Sequence, residues 1–310
     1  MSSSFRARGV PRGVLYVCTA GILWGTAPIA FDIVHDLTGL GAVQISAYRL
    51  VIAALALAVM AVLTGNGVAT GRALKRQPLS IAAIGASVAT YQALWFAAIT
   101  QVGVSAATVI SLGLAPVLIT VWEKWITRTR PRTAQLLSIA AALTGLTLIS
   151  LSAEADHIDA GSPFMGLLLA SASGVLYAAT TVLSRRVAVS ISPVPMATAS
   201  TAIGALCLMP LALLSGPVVT TDSTAILSIV YLGVVTMALA SLLLYSGLRT
   251  AHASTASIAT LLEPVTAALL AVVFLAESLS MKALIGIGLI LTAVAAMNLG
   301  SSPNSPADQK

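Results

Sequence analysis

Ten apolar runs follow one another along the chain, joined by short connections. A run of about 17–25 apolar residues is what a helix needs to cross a hydrocarbon core. They cover residues 13–34, 42–63, 79–100, 104–122, 133–151, 163–183, 194–214, 224–248, 253–276 and 281–299. The chain has 310 residues, 58% apolar and 8% charged, where soluble domains carry roughly 25% charged residues. The predicted fold class is therefore all-α integral membrane, one compact bundle of ten transmembrane helices with little room for a soluble domain.

The formal charge of +6 matters less than its placement. Arg6, Arg8 and Arg12 precede span one, and Arg72, Lys75 and Arg76 follow span two. Lys124, Arg128, Arg130 and Arg132 follow span four, Arg185 and Arg186 follow span six, and Arg249 follows span eight. All fall on one side if each run crosses once, as the positive-inside rule asks of cytoplasmic loops. The other side receives Asp32, Asp36, Glu154, Asp156, Asp159, Asp222 and Glu277, with Lys282 its single base. Both termini, 1–12 and 300–310, are expected in the cytoplasm of a cell bounded by a plasma or inner membrane. The first run is about twenty residues long and many follow it, so it is expected to stay as a helix rather than leave as a signal peptide. A basic stripe interleaved with aromatics, the mark of nucleic-acid binding, is absent.

The chain repeats itself. GVLYVCTAGILWGTAP from Gly13 matches GLLLASASGVLYAATT from Gly166, pairing Gly21 with Gly174 and Trp24 with Tyr177. SAATVISLGLAPVLITV from Ser105 matches ASTASIATLLEPVTAAL from Ala253, pairing Pro116 with Pro264. Residues 13–151 and 163–299 thus form two five-span copies, with an external loop at 152–162. Five is odd, so the second copy enters the membrane the other way up. Inverted repeats place substrate sites near the midplane, lined by interrupted helices. Pro28, Pro116 and Pro264 are the expected helix breaks.

One residue in this pattern is expensive. Glu263 sits mid-span, immediately before Pro264, and a charge at the bilayer centre costs ~2.5–3.5 kcal/mol on insertion scales. Proline lacks an N–H, so the Thr260 carbonyl loses its helical partner. Helical spacing puts Ala256, Ala259, Thr260, Glu263, Thr266 and Ala267 on one small, polar face. Ile258, Leu261, Leu262, Val265, Leu269 and Val272 form a bulky face suited to lipid. The acid then points into the bundle, where it could bind a substrate amine or carry a proton, or anchor a neighbouring helix.

These segments resemble the drug/metabolite transporter superfamily, specifically its EamA-type members with ten helices in two inverted repeats. The resemblance rests on WGTAP at 24–28, on Arg49 within AYRLVIAALAL, on LEPV at 262–265 and on FLAES at 274–278. It extends over nearly the whole chain. The first copy departs from the second, with Ala115 where the second has Glu263 and WITRTRP where the second has FLAES. The resemblance implies export or exchange of small metabolites, often amino acids or related amphipathic compounds.

Arg49 lies ~10 Å inside the outer end of span two and Glu263 ~18 Å from the same surface, at 1.5 Å per residue. The planar guanidinium suits a carboxylate or phosphate, or it snorkels to outer headgroups. Trp24, Tyr91, Gln92, Trp95 and Tyr177 are polar-aromatic or amide side chains within spans, suited to an apolar pocket with a few hydrogen-bonding groups. Tyr91 and Trp95 share a helix face, and Gln92 needs partners in hydrocarbon. Gly21 and Gly25 make a GxxxG spacing, a weak signal in a chain rich in small residues, and Gly286 and Gly288 make a weaker one. Cys18 and Cys207 read as small packing residues. Trp122 and Trp125 read as belt residues at a helix end.

GNGVATGRALK from Gly65 lies between spans and lacks P-loop spacing. Nucleophile elbow, zinc HExxH and paired-aspartate signatures are absent from the sequence. The expectation is a secondary transporter and no enzyme, with Glu263 as the proton-coupling candidate. Its partners would be a small-molecule substrate, membrane lipids and protons, without cofactor or metal. An uncoupled facilitator or channel of the same fold is the first alternative, and an integral-membrane enzyme the more distant one.

Overall fold

The structure, a computed structural model, describes residues 12–128, 131–152, 162–214, 216, 220–275 and 280–300. Glu154, Asp156, Asp159, Glu277, Arg6, Arg8, Arg130, the end of FLAES and the polar tail lie outside the described residues. Among those described, the secondary structure is helical throughout. Span one is α1 (Arg12–Gly25) with α2 (Ala27–Thr38), and span two is α3 (Ala42–Leu63). The segment expected as a plain loop contains a short helix, α4 (Gly67–Arg76), which lays Ala73 against span seven. Spans three and four both come from α5 (Pro78–Thr127), divided at Gly103, whose φ of 81° and ψ of 163° leave the helix. Glycine takes that backbone without a Cβ clash. Span five is α6 (Thr133–Ser150).

The second half follows the same plan. Its spans six and seven are α7 (Pro163–Ala188) and α8 (Pro193–Leu214). Span eight joins α9 (Ser223–Gly233) to α10 (Ala240–Leu248) through a π turn, Val234–Leu239. Span nine is α11 (Ala253–Ala259) with α12 (Leu262–Leu275), and span ten is α13 (Met281–Gly300). The starts are set locally. Pro78, Pro163 and Pro193 open helices where their missing N–H costs nothing. Asp222 caps α9, its Oδ1 accepting from the Ala225 N–H at 2.8 Å.

The two halves meet through equivalent contacts. A Cβ on Gly85 would strike Ile203 and the Ser200 carbonyl, and one on Gly233 would strike Ile52 and the Arg49 carbonyl. Span three therefore sits on span seven as span eight sits on span two. Gly145 and Gly286 face each other's carbonyls, so spans five and ten pack reciprocally across the pseudo-twofold axis. That gives Gly286 a packing role stronger than its spacing suggested. The same equivalence of contacts pairs Arg49 with Ser200.

One expected face is corrected. Ile258, Leu261, Leu262 and Val265 do not meet lipid. They are buried against α6 and α13 in an apolar cluster with Leu146 and Ile290. Residues 253–262 are buried all round, because span nine runs through the bundle with α1 on one side and α6 and α13 on the other. Helical periodicity separates polar from bulky faces, but in a central helix both are inside. Cys207, expected to pack, is exposed on α8, while Cys18 is half-buried between two apolar clusters.

Candidate functional site

Two spans are interrupted, and they pack together within about a turn of their interruptions. Span nine breaks at Thr260–Leu261, just ahead of Glu263. The Thr260 carbonyl that Pro264 leaves without a donor is taken up nearby. The Glu263 N–H donates to it at 3.0 Å, and the Leu261 N–H donates to Ile258 O at 3.1 Å. Both bonds reach three residues back rather than four, so the helix tightens for one turn and restarts as α12 with Glu263 in its first turn. Span one breaks at Thr26, ahead of Pro28, where the Thr26 N–H donates to Leu23 O at 3.2 Å. The small residues of span one make the crossing possible. A Cβ at Gly21 would lie 3.1 Å from the Ala259 carbonyl, and one at Gly25 would lie 2.5 Å from Thr266 Cβ. The GxxxG spacing is thus the seat of the broken span nine.

Around the crossing, hydroxyls and amides hold the site. Arg49 donates through Nη2 to Gln92 Oε1 at 2.7 Å, and Gln92 Nε2 donates to Val88 O at 3.2 Å, which fixes the amide both ways. The Arg49 Nε is buried and has no hydrogen-bond partner. Glu263 is half-buried, and among the described residues its carboxylate makes no hydrogen bond and no ion pair with Arg49. The two charges nevertheless lie within electrostatic reach of each other and of Tyr91. Tyr177 meets Tyr91 edge-on at 5.4 Å and Thr260 Oγ1 at 3.2 Å. Thr260 spends its own proton on Ser257 O at 2.9 Å, so the Tyr177 hydroxyl is the donor.

A central cavity of about 40 Å³ is walled by Trp24, Tyr91, Tyr177, Thr181, Ser200 and Tyr245. Ligand pockets run to ~300–1,000 Å³, so this cavity is too small for a ligand of that class as it stands. Of the sequence candidates, Trp24, Tyr91 and Tyr177 line this cavity, and Gln92 holds Arg49 beside Tyr91. Trp95 does not line it, packing instead on Phe96 and a cluster with Ala98, Ala107 and Ala170. Tyr91 and Trp95 share a face, but one turn carries Trp95 beyond the cavity. The small hydroxyls Thr181, Ser184, Ser200 and Ser241 also line it. Their signal was faint: Tyr177, Thr181 and Ser184 repeat at helical spacing on one span. The π turn, unsignalled in sequence, precedes Ser241 and Tyr245 on their way to the cavity, a common place for such turns.

The two ends of the bundle differ. Toward the acidic end, Tyr231 donates to Thr26 Oγ1 at 2.7 Å and Phe31 stacks on Phe96 at 6.4 Å, drawing α2 onto its neighbours. At the basic end lies a much larger cavity, about 840 Å³, bounded by the ends of α1, α5, α6, α7, α11 and α13.

The comparisons agree with this architecture. The profile of the EamA-like transporter family matches residues 11–151 and 164–299, covering both halves. The chain is 29% identical over 204 residues to the uncharacterized transporter YwfM of Bacillus subtilis, spanning 66% of this chain and 68% of that protein. It is 26% identical over 293 residues to the uncharacterized inner membrane transporter YicL of Salmonella typhimurium, spanning 94% of this chain and 96% of that one. A solved crystal structure superposes with a TM-score of 0.75 at 23% identity, over 93% of this chain and 97% of that one, and establishes likeness of fold. Ten crossings in two repeated halves, with a family profile matching each half, make this multi-pass membrane protein a member of the EamA-like transporter family.

Proposed function

We propose that the protein is a secondary active transporter that exports small metabolites, such as amino acids or related amphipathic compounds, by alternating access. The reading is carried by one observation. An orphaned guanidinium nitrogen on Arg49 and an unpaired carboxylate on Glu263 flank aromatic and hydroxyl side chains where two broken helices cross. A buried unpaired charge is costly, and a substrate carrying a carboxylate and an amine would satisfy both. The basic end, with Arg72, Lys75, Arg76, Arg185 and Arg186, faces the cytoplasm of a bacterial-type inner membrane. The closed contacts at the acidic end and the open cavity at the basic end fit a cytoplasm-facing state. Glu263 exchanges a proton as the helices rock, linking efflux to the proton gradient.

The test begins with metabolite profiles of overexpressing and deletion cells. Compounds that change are then assayed in proteoliposomes under an imposed pH gradient. A coupled carrier accumulates substrate against its concentration. Simple equilibration would replace this reading with an uncoupled facilitator of the same fold.

A further inference from the structure

We propose that the cavity at the basic end is an anion-binding site, built to hold the carboxylate or phosphate group of a ligand. The inference rests on the transport reading for the direction in which this cavity opens, but it concerns different groups: the lining reaches span nine at Thr255, eight residues or ~12 Å of helix rise from Glu263 at 1.5 Å each. Lys124, Arg185 and Arg186 line the cavity, and Glu123 is the carboxylate that faces them there. These cations are poised rather than neutralised. Arg185 donates through Nε to Ala251 O at 2.9 Å, which pins the side chain while its two terminal nitrogens hold no hydrogen-bond partner among the described residues. Arg186 lies over the Trp122 ring, 5.7 Å from its centroid, a contact that orients a cation without discharging it. Among the described residues Lys124 makes no ion pair, and the Glu123 carboxylate accepts from the Ser254 N–H at 3.4 Å rather than from any of the three cations.

Sidedness alone does not explain this arrangement. The positive-inside rule asks for cations in cytoplasmic loops, and Arg72, Lys75 and Arg76 on α4 satisfy it outside the cavity, whereas Lys124, Arg185 and Arg186 line it, with Arg185 only part-exposed. A cleft in which cations outnumber carboxylates, between low-dielectric walls, concentrates counter-ions. A forked guanidinium with both ends open suits bidentate capture of a planar or tetrahedral oxyanion. That oxyanion has two sources, a dissolved carboxylate or phosphate and the headgroup of an anionic lipid.

The experiment uses the full chain in phosphatidylcholine nanodiscs. One arm titrates citrate and inorganic phosphate by calorimetry. The other measures, by native mass spectrometry, retention of phosphatidylglycerol supplied against phosphatidylcholine. Arg185→Gln and the pair Lys124→Gln, Arg186→Gln are compared with Arg72→Gln, Lys75→Gln, which removes two charges from α4 alone. Circular dichroism and size exclusion confirm that every variant is folded. Saturable anion binding weakened about tenfold by the cavity variants and unmoved by the α4 variant supports the site with a dissolved ligand. Selective lipid retention with the same variant pattern supports it with a headgroup. No binding in either arm, or equal loss in the α4 variant, overturns it.

Discussion

Spans four and nine hold equivalent places in the two halves, each with a proline near its middle, yet they are built differently. Span four runs unbroken through Pro116, beside a fully buried Ala115. Span nine breaks ahead of Pro264, and Glu263 stands where the first half has Ala115. Spans two and seven diverge in the same way. Arg49 reaches Gln92, whereas its counterpart Ser200 accepts from the Tyr245 hydroxyl at 3.1 Å while giving its own proton to Met196 O at 2.8 Å. The shared features are glycine contacts and prolines, and they build the scaffold. The unshared ones are the two charges, which lie within electrostatic reach of each other without pairing. A proline alone therefore does not break a helix here. The break appears where the flanking carbonyls find three-residue partners, the Ile258 and Thr260 oxygens accepting from the Leu261 and Glu263 N–H groups.

The comparison can be broken from either side. The largest effect is expected at Arg49→Ala, which removes the cation proposed to take the substrate's carboxylate and should lower kcat/KM for the identified substrate by about a hundredfold. Ser200→Ala, at the equivalent place, should stay within about threefold by the same assay. Parity between them would dissolve the asymmetry. Next comes Gly25→Ala, which forces a methyl into Thr266 and should cost about 1–3 kcal/mol of stability, read as a fall in thermal midpoint in detergent. Gly288→Ala, where a Cβ meets nothing within 4 Å, should leave that midpoint unchanged or slightly raised. Gln92→Ala should weaken substrate binding about tenfold by removing the bond that holds the guanidinium, with the fold intact by circular dichroism. Smallest is Tyr177→Phe, which deletes one hydroxyl bond to Thr260 and should change KM by a few-fold.

Much of the architecture was legible in the sequence because lipid imposes so few solutions. Twenty-residue apolar runs fix the crossings, and the GVLYVCTAG and GLLLASASG segments reveal the repeat before any contact is known. Gly103, between two runs expected as separate spans, does divide α5. The faces were harder. Leu262 and Val265 read as lipid-facing because bulk alone cannot distinguish lipid from the inside of a bundle, both being apolar. Trp95 went astray for a related reason, since spacing gives a direction around the helix but not the depth at which a cavity ends. Gln92 was legible as an amide in need of a partner, though nothing in its spacing named Arg49. Ser200 and Ser241 carry no signal strong enough to lift them from the other hydroxyls, and VVTMAL is an unremarkable apolar string that forms a π turn.

The central claim is that Pro264 belongs to the scaffold and Glu263 to the transport cycle. It is tested most directly by pH-driven flux of the identified substrate in proteoliposomes carrying Glu263→Gln, with folding checked by size exclusion. The expected result is folded protein that equilibrates substrate but no longer accumulates it when a proton gradient is imposed. Full accumulation by Glu263→Gln would contradict the claim and leave the acid as an anchor between helices.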